Sequence, residues 1–549
     1  MIRVRFVTSI LIAGLALAAI LGVGASWWWK HRPRFDMLIY NARVFDGKRF
    51  RHRYTVVAVN KGRIAAVGLA AAGPARRYIN ARGLVLAPGF IDVHTHIEGN
   101  VPAHRPLHAW NFVLQGVTTV ITGNCGTSAV DIGAFLKGID RNHSDVNVAT
   151  LVGHNSIREA VMGNSAARAD DAQLSRMRAL VVRAMDAGAL GFSTGLAYAP
   201  GVFADEAEVI ALAAEAGKRG GLYVTHLRDE AAGEEAALAE AVRIATAAKT
   251  PLHVSHFKIA SHKDWGKAAQ RLEQLASARP GGRRPTLDVY AYSASSTTTD
   301  ILLPPPMRGG HVAWKEVASD PARRRELFAG MTRVLQTNGF EDYGYANIAY
   351  FHRDHTVEGK SIPQLADLLA VRDRSEDSAG RRRAPDLDRQ KEAVYWLLRQ
   401  GGAQMVYHDM SERDVETILR DPAVSFGTDS AVRSSQSTSA HPRGIGNFPR
   451  VLGHYVRGTG TLSLADALHK MTGLAASTFG LSGRGCLNEG CAADMVIFDP
   501  AQIQDKATYA DPLRPPSGIK MVFVNGVLTV DDGNETGAQA GQAIRALKR

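Results

Sequence analysis

Eight short apolar runs recur through the middle of this 549-residue chain, and each closes on a polar or metal-competent residue. Leu84–Val93 leads to His94-Thr95-His96, Val117–Thr122 to Gly123-Asn124-Cys125-Gly126, Val146–Val152 to Gly153-His154-Asn155, and Ala189–Phe192 to Ser193-Thr194-Gly195. Further on, Leu222–Thr225 reaches His226, Leu252–Ser255 reaches His256, Thr286–Val289 reaches Tyr290, and Ala423–Gly427 reaches Thr428-Asp429. Between most of them lie stretches of helical spacing rich in Ala, Leu and Glu, such as Glu206–Arg219 and Glu234–Ala248. Strand followed by helix, repeated, builds a parallel sheet with both faces covered. The expected fold is therefore α/β, a (β/α)8 TIM-like barrel whose strand ends meet at one open mouth.

That topology gives the terminal residues of the runs a shared destination. His94 and His96 are two apart on a strand, so their side chains point the same way and can grip one ion together. An isolated His-x-His is more often structural or solvated. Cys125 as a thiolate would be a strong zinc ligand, and a buried structural cysteine is the competing reading.

Pro88-Gly89-Phe90-Ile91-Asp92-Val93 directly before His94-Thr95-His96 resembles the first barrel strand of the metal-dependent amidohydrolase superfamily. Gly123-Asn124-Cys125-Gly126 is similar to its D-aminoacylase branch, the N-acyl-D-amino-acid deacylases, where a cysteine takes the place of a carboxylated lysine as the metal bridge. Gly191-Phe192-Ser193-Thr194-Gly195-Leu196, Thr225-His226-Leu227-Arg228-Asp229-Glu230, His253-Val254-Ser255-His256-Phe257-Lys258, His441-Pro442-Arg443 and Phe448-Pro449-Arg450-Val451-Leu452-Gly453 resemble that branch in the same order. Two positions depart from it: Ile97-Glu98 replaces an aromatic and Asp, and Tyr290-Ala291-Tyr292 replaces Tyr-Pro-Tyr.

The resemblance implies one tightly held zinc on Cys125, His226 and His256, and a second, weaker site on His94, His96 and Asp429 with Cys125 shared. Imidazole and thiolate donors suit zinc and leave a position for water. The expected reaction is hydrolysis of the amide of N-acyl-D-amino acids by a metal-bound hydroxide, with Asp429 as general base and then acid. A loop-capping aspartate is the competing reading of Asp429. By resemblance, Lys258, Tyr290 and Ser296 contact the substrate's carboxylate or acyl oxygen. Arg228 and Arg443 are further carboxylate candidates, and Arg228 has the alternative of pairing with Asp229 or Glu230. His154 reads as a hydrogen-bonded core histidine.

Strand-like segments flank the barrel on both sides, which predicts a small β domain formed by both termini, residues 36–87 and 482–545, around a barrel at 88–481. The gap from Tyr290 to Asp429 exceeds an ordinary crossover, so an inserted subdomain is expected at about 296–404. Residues 1–35 stand apart. Phe6–Trp29 is 24 residues without a charge, bordered by Arg3 and Arg5 and by Lys30, Arg32 and Arg34, with Trp27-Trp28-Trp29 at one end. It is long enough to cross a bilayer, which predicts an N-terminal transmembrane helix and a single-pass membrane protein with its barrel on the periplasmic or another extracytoplasmic side. Cleavage after Val23-Gly24-Ala25, giving a secreted protein, is the alternative.

At 45% apolar residues the chain supports more than one domain without a disulfide framework, and three cysteines exclude a dense one. Cys486 and Cys491 either pair or stay buried thiols. A net charge of +12 suits anionic lipid or anionic substrates, and no nucleic-acid motif, P-loop or dinucleotide fingerprint accompanies it. The expected partners are a small acylated amino acid and, through residues 1–35, a membrane. Two alternatives remain: another amide, dipeptide or cyclic imide hydrolase on the same scaffold, and a catalytically silent binding protein at a membrane.

Overall fold

The computed structural model describes residues 34–52, 55–71, 73–309, 314–374, 386–433 and 441–547. Eight parallel strands form its centre: Phe90–Asp92, Val117–Thr122, the interrupted Asn147–Thr150 and Val152–Gly153, Gly191–Gly195, Leu222–His226, Leu252–Val254, Thr286–Val289 and Val424–Phe426. The last strand returns to the first. Val93 donates its backbone N–H to Phe426 at 3.2 Å, Asp429 to His94 at 2.9 Å and His96 to Ser430 at 2.9 Å, which closes the barrel. Ile91, Ile121, Ala149, Leu151 and Val224 share one fully buried cluster on the strand face that ends at His226, so the barrel is a packed core rather than a pore.

The crossover helices follow from their sequences. In Glu206–Gly217 the apolar positions Val209, Leu212, Ala213 and Ala216 are buried at helical spacing, and the Asp205 side chain accepts the Glu208 N–H to cap the first turn. Asp171–Asp186 opens with a reciprocal capping box between Asp170 and Gln173.

Two further units attach to the barrel. Val85–Pro88 pairs antiparallel with Met495–Phe498, in register Pro88 to Met495, inside a six-stranded sheet continued by Ile519–Val524 and Val527–Asp531. A neighbouring sheet holds Phe35–Tyr40, Val57–Asn60, Arg63–Val67 and Ala75–Asn80. Met37, Ile39, Val57, Leu86, Ile497 and Phe523 share one core there, and Cys486 is joined to Cys491 beside it. Between the seventh and eighth barrel strands, Ser295–Thr298, Ala346–Tyr350 and Gln404–Tyr407 make a three-stranded antiparallel sheet packed by helices Pro321–Thr337, Ile362–Arg374 and Asp386–Arg399. Its core, with Leu327, Met331, Tyr343 and Val394, is separate from that of the barrel.

The transmembrane helix expected over Phe6–Trp29, and the alternative cleavage at Val23-Gly24-Ala25, fall outside the described residues. Among the described residues no helix is long and apolar enough to cross a membrane. The longest of them, Pro321–Thr337, has 17 residues and carries Arg323, Arg324 and Arg325. The expected fold is corrected on this point: the described chain is barrel, insert and β domain without a membrane-spanning helix, and the single-pass membrane localisation drawn from that helix is not retained.

Candidate metal centre

Three residues at the barrel mouth hold their backbones where side chains are disfavoured: Cys125 at φ +50°, His256 at φ +33° and Asp429 at φ +47°. Each follows the end of its strand by two or three residues and brings its side chain into the donor groups at the mouth. Backbone strain of this kind costs roughly 1–3 kcal/mol per residue and persists where the surroundings enforce it.

The donors converge. Cys125 Sγ lies 3.3 Å from His94 Nε2, 3.3 Å from His256 Nε2 and 3.8 Å from His226 Nδ1. Asp429 Oδ1 is 3.1 Å from His96 Nε2 and 3.7 Å from His94 Nε2. Cys125, His226 and His256 form one possible ligand group; His94, His96 and Cys125 form a second, and His94, His256 and Asp429 a third. Thiolate and imidazole donors on one zinc sit roughly 3.3–3.6 Å apart, given bonds of about 2.3 and 2.0–2.1 Å. The two Cys125–histidine distances of 3.3 Å match this, whereas His226 Nδ1 and His256 Nε2 are hydrogen-bonded at 2.8 Å and must part by about half an ångström to share an ion.

Electrostatics point the same way. Burial would raise the Cys125 thiol, but the charges of His94 and His256 and hydrogen bonds from His226 and His256 hold it well below the usual thiol range. Burial opposes charge on His94 too, yet Asp288 and Cys125 push it up to about 10. A cluster that lowers its thiol and raises the imidazoles of His94, His96 and His256 calls for positive charge at its centre, and a divalent cation supplies it in place of protons.

A second ring of residues holds these donors in place. Asp288 sits in the seventh strand, 3.3 Å from His94 Nδ1 and 3.0 Å from His253 Nε2, and accepts the His256 backbone N–H at 3.0 Å. Glu230 Oε1 is 2.9 Å from His256 Nδ1, Oε2 is 2.6 Å from Lys258 Nζ, and Oε2 is also 3.7 Å from His226 Nε2. Burial would raise its carboxyl, but His226, Lys258 and His256 hold it below the usual carboxylate range. Carboxylates behind ligating imidazoles fix their tautomer and orientation. The signal for Asp288 was a charged residue inside the apolar run Thr286–Val289, and Glu230 showed only as a possible partner of Arg228.

The proposed substrate contacts are placed unevenly. Arg443 Nη2 is 2.9 Å from Asp429 Oδ2, and its guanidinium lies 4.4 Å from the centre of the Tyr290 ring. Against the burial that would raise it, the Arg443 charge and the His96 hydrogen bond hold the Asp429 carboxyl well below its usual range. Ser296 lines the mouth and donates to the Met405 carbonyl at 2.8 Å. Lys258 and Tyr290 are packed behind, Lys258 on Glu230 and Tyr290 with its hydroxyl 3.6 Å from Met410 Sδ. Arg228 is committed elsewhere: it pairs with Glu240 at 2.8 Å, rather than with Asp229 or Glu230, and donates to the carbonyls of Val202 and Ala204. His154 is buried against Glu208 at 2.8 Å.

The donors open into a cavity of about 1070 Å³ lined by Asn155, Tyr198, Ser296, His441, Arg433 and Arg443. Tyr198, whose ring centre is 4.6 Å from that of His226 and whose hydroxyl is 3.0 Å from Thr297 Oγ1, separates it from an apolar chamber of about 500 Å³ under the insert. Tyr198 and Arg433 were not among the residues that the sequence singled out.

Comparison with known proteins gives consistent matches. The model of the amidohydrolase family matches residues 77–338 and 365–530. The chain is 33% identical to D-aminoacylase of Alcaligenes xylosoxydans xylosoxydans over 93% of its length and 97% of that protein, and 34% identical to the N-acyl-D-aspartate deacylase of the same organism over 93% and 95%. Among solved structures, a D-aminoacylase studied for its binuclear metal centre superposes with a TM-score of 0.75 at 31% identity, covering 93% of this chain and 100% of that one. The N-acyl-D-glutamate deacylase of Bordetella bronchiseptica, complexed with zinc and a phosphonate mimic of the tetrahedral intermediate, superposes at 0.76 with 30% identity and the same coverage.

Proposed function

The chain belongs to the amidohydrolase family and is a metal-dependent hydrolase of amide bonds, and from that premise we propose that it removes the acyl group from N-acyl-D-amino acids, with zinc held by the donors at the barrel mouth. The observation that carries the reading is the convergence of Cys125, His226, His256, His94, His96 and Asp429 on a single mouth within hydrogen-bonding to near-contact distance of one another.

Cys125, His226 and His256 would hold the tight ion, and His94, His96 and Asp429 a weaker second one. When bound, zinc supplies Lewis acidity, polarising the amide carbonyl and acidifying water. The rest falls to the chain. An amide has a poor leaving group, so its nitrogen must gain a proton as the bond breaks. Asp429, kept ionised beside Arg443, accepts the proton from the attacking water through Oδ1 and passes it to the departing amine. Arg443 and Ser296 face the cavity where the substrate carboxylate would bind, with Lys258 and Tyr290 shaping the wall behind them. Asp288 and Glu230 orient the imidazoles. The D-amino-acid preference rests on the relatives, because both deacylases act on D-substrates by name.

Metal analysis of the purified protein together with a release assay over acylated D- and L-amino acids tests this reading. Bound zinc and release from the D-series only are expected. Release from cyclic imides or dipeptides instead, or from nothing, would sink it.

A further inference from the structure

Resting on that reading, we propose that the cavity before the metal centre is built for an acyl-amino acid with two carboxylates, the second held by Arg433, so that the preferred amino acid is acidic. Overall similarity does not decide the point, since the chain is 33% identical to the D-aminoacylase, 34% to the aspartate deacylase and 32% to the glutamate deacylase.

The cavity wall holds two guanidinium groups. Arg443 is 3% exposed; its Nη2 reaches Asp429 and the Ser296 carbonyl, while Nε and Nη1 have no hydrogen-bond partner among the described residues. Arg433 Nε is likewise buried and unpartnered there. Buried donors left unpaired are costly, more so on a charged group. Both cations also lie by the start of helix Arg443–Arg450, the end at which the helix dipole disfavours positive charge. Asp429 is the carboxylate against Arg443, and it is reserved for the reaction.

Arg433 is held for this position rather than left there by chance. Its carbonyl accepts the Trp110 indole N–H at 2.6 Å and its backbone N–H donates to Asn111 Oδ1 at 3.2 Å. A Cβ on Gly444 would come within 2.9 Å of Arg433 Nε, so the glycine lets the guanidinium lie against the helix start. A substrate with one carboxylate satisfies Arg443 and leaves Arg433 unpaired. One with two satisfies both, and a site built to pair a charged group rejects the analogue that lacks it.

The holoenzyme is assayed on N-acetyl-D-glutamate and its neutral isostere N-acetyl-D-glutamine, as wild type and as Arg433→Gln and Arg433→Lys. Wild type is expected to favour the dicarboxylate in kcat/KM by at least about tenfold, mainly through KM, with Arg433→Gln bringing the ratio near unity and Arg433→Lys restoring part of it. A wild-type ratio at or below one, or a ratio that Arg433→Gln leaves unchanged, overturns the proposal. Calorimetry with glutarate against butyrate separates this inference from the proposed reaction. Selective glutarate binding that depends on Arg433, with no acyl-amino acid hydrolysed, overturns the reaction and sustains the site; hydrolysis without that selectivity does the reverse.

Discussion

Arg443 and Asp429 meet through a single contact of 2.9 Å between Nη2 and Oδ2, and this leaves Oδ1 of the aspartate facing His96 and His94. One oxygen is tethered to a permanent cation, and the other points at the ligand cluster. In the proposed reaction, such an arrangement would fix the direction in which the carboxylate moves a proton.

Asp429→Asn keeps the shape and the Arg443 side of this contact but removes the proposed proton acceptor. It is expected to lower kcat by about 10²–10⁴-fold while zinc on Cys125, His226 and His256 stays near the wild-type amount. Steady-state kinetics alongside metal analysis of the same preparation checks both halves.

Glu230→Gln removes the charge that faces His256 Nδ1 and Lys258 Nζ without emptying the space. Metal affinity should fall by about 10–100-fold, the usual effect of losing a carboxylate behind a ligating histidine. Competition with a chelator of known affinity measures it, and an unaltered affinity would mean that His256 is oriented by other contacts.

Gly427→Ala would place a methyl against Cβ of His94 and 3.0 Å from Asp288 Oδ1. Because the severe clash is with His94 at 2.3 Å, while Asp288 Oδ1, which holds the His256 backbone N–H, is met only at 3.0 Å, the expected result is a greater loss of the weaker ion than of the tighter one. Metal stoichiometry at rising zinc concentration reads this directly, and equal loss of both ions would contradict the two-site arrangement.

Asp409 is 9% exposed beside the chamber under the insert, and burial pushes its carboxyl up to about 7 despite hydrogen bonds from Ser295. A folded-state value above the unfolded one means that its stabilising contribution is complete below about pH 3.8 and is lost as the pH rises through about 7. Asp409→Asn stays neutral throughout. Between pH 5 and pH 8 wild type should therefore lose stability relative to the variant, by roughly 1–3 kcal/mol, in denaturant titrations at the two pH values.

Much of this was legible along the chain. The apolar runs that end at His94, Cys125, His226, His256 and Asp429 coincide with barrel strands or stop within a residue or two of them, because a buried parallel strand must be apolar and its end is where polarity is permitted. Partner choice among charged groups was not legible. Arg228 found Glu240 on the following helix instead of its neighbours Asp229 and Glu230, a matter of how that helix docks. Asp288 gave a local hint, a charge within an apolar strand, but which histidines it serves depends on strands adjacent only in the closed barrel. Arg433 carried no motif at all; its backbone is pinned by Trp110 and Asn111, more than three hundred residues earlier. A hydrophobic segment such as Phe6–Trp29 shows length and apolarity alone, and no described helix repeats that pattern.

The pairing of Val85–Pro88 with Met495–Phe498 also sets a timetable. The strand that leads into the first barrel strand waits for a partner synthesised about four hundred residues later, so on the ribosome the early sheet exposes an apolar edge until Met495–Phe498 has emerged. Assembly of this sheet is thus gated by Met495–Phe498, and truncations that remove it should show first as failed biogenesis, well before any defect in the chemistry at the mouth.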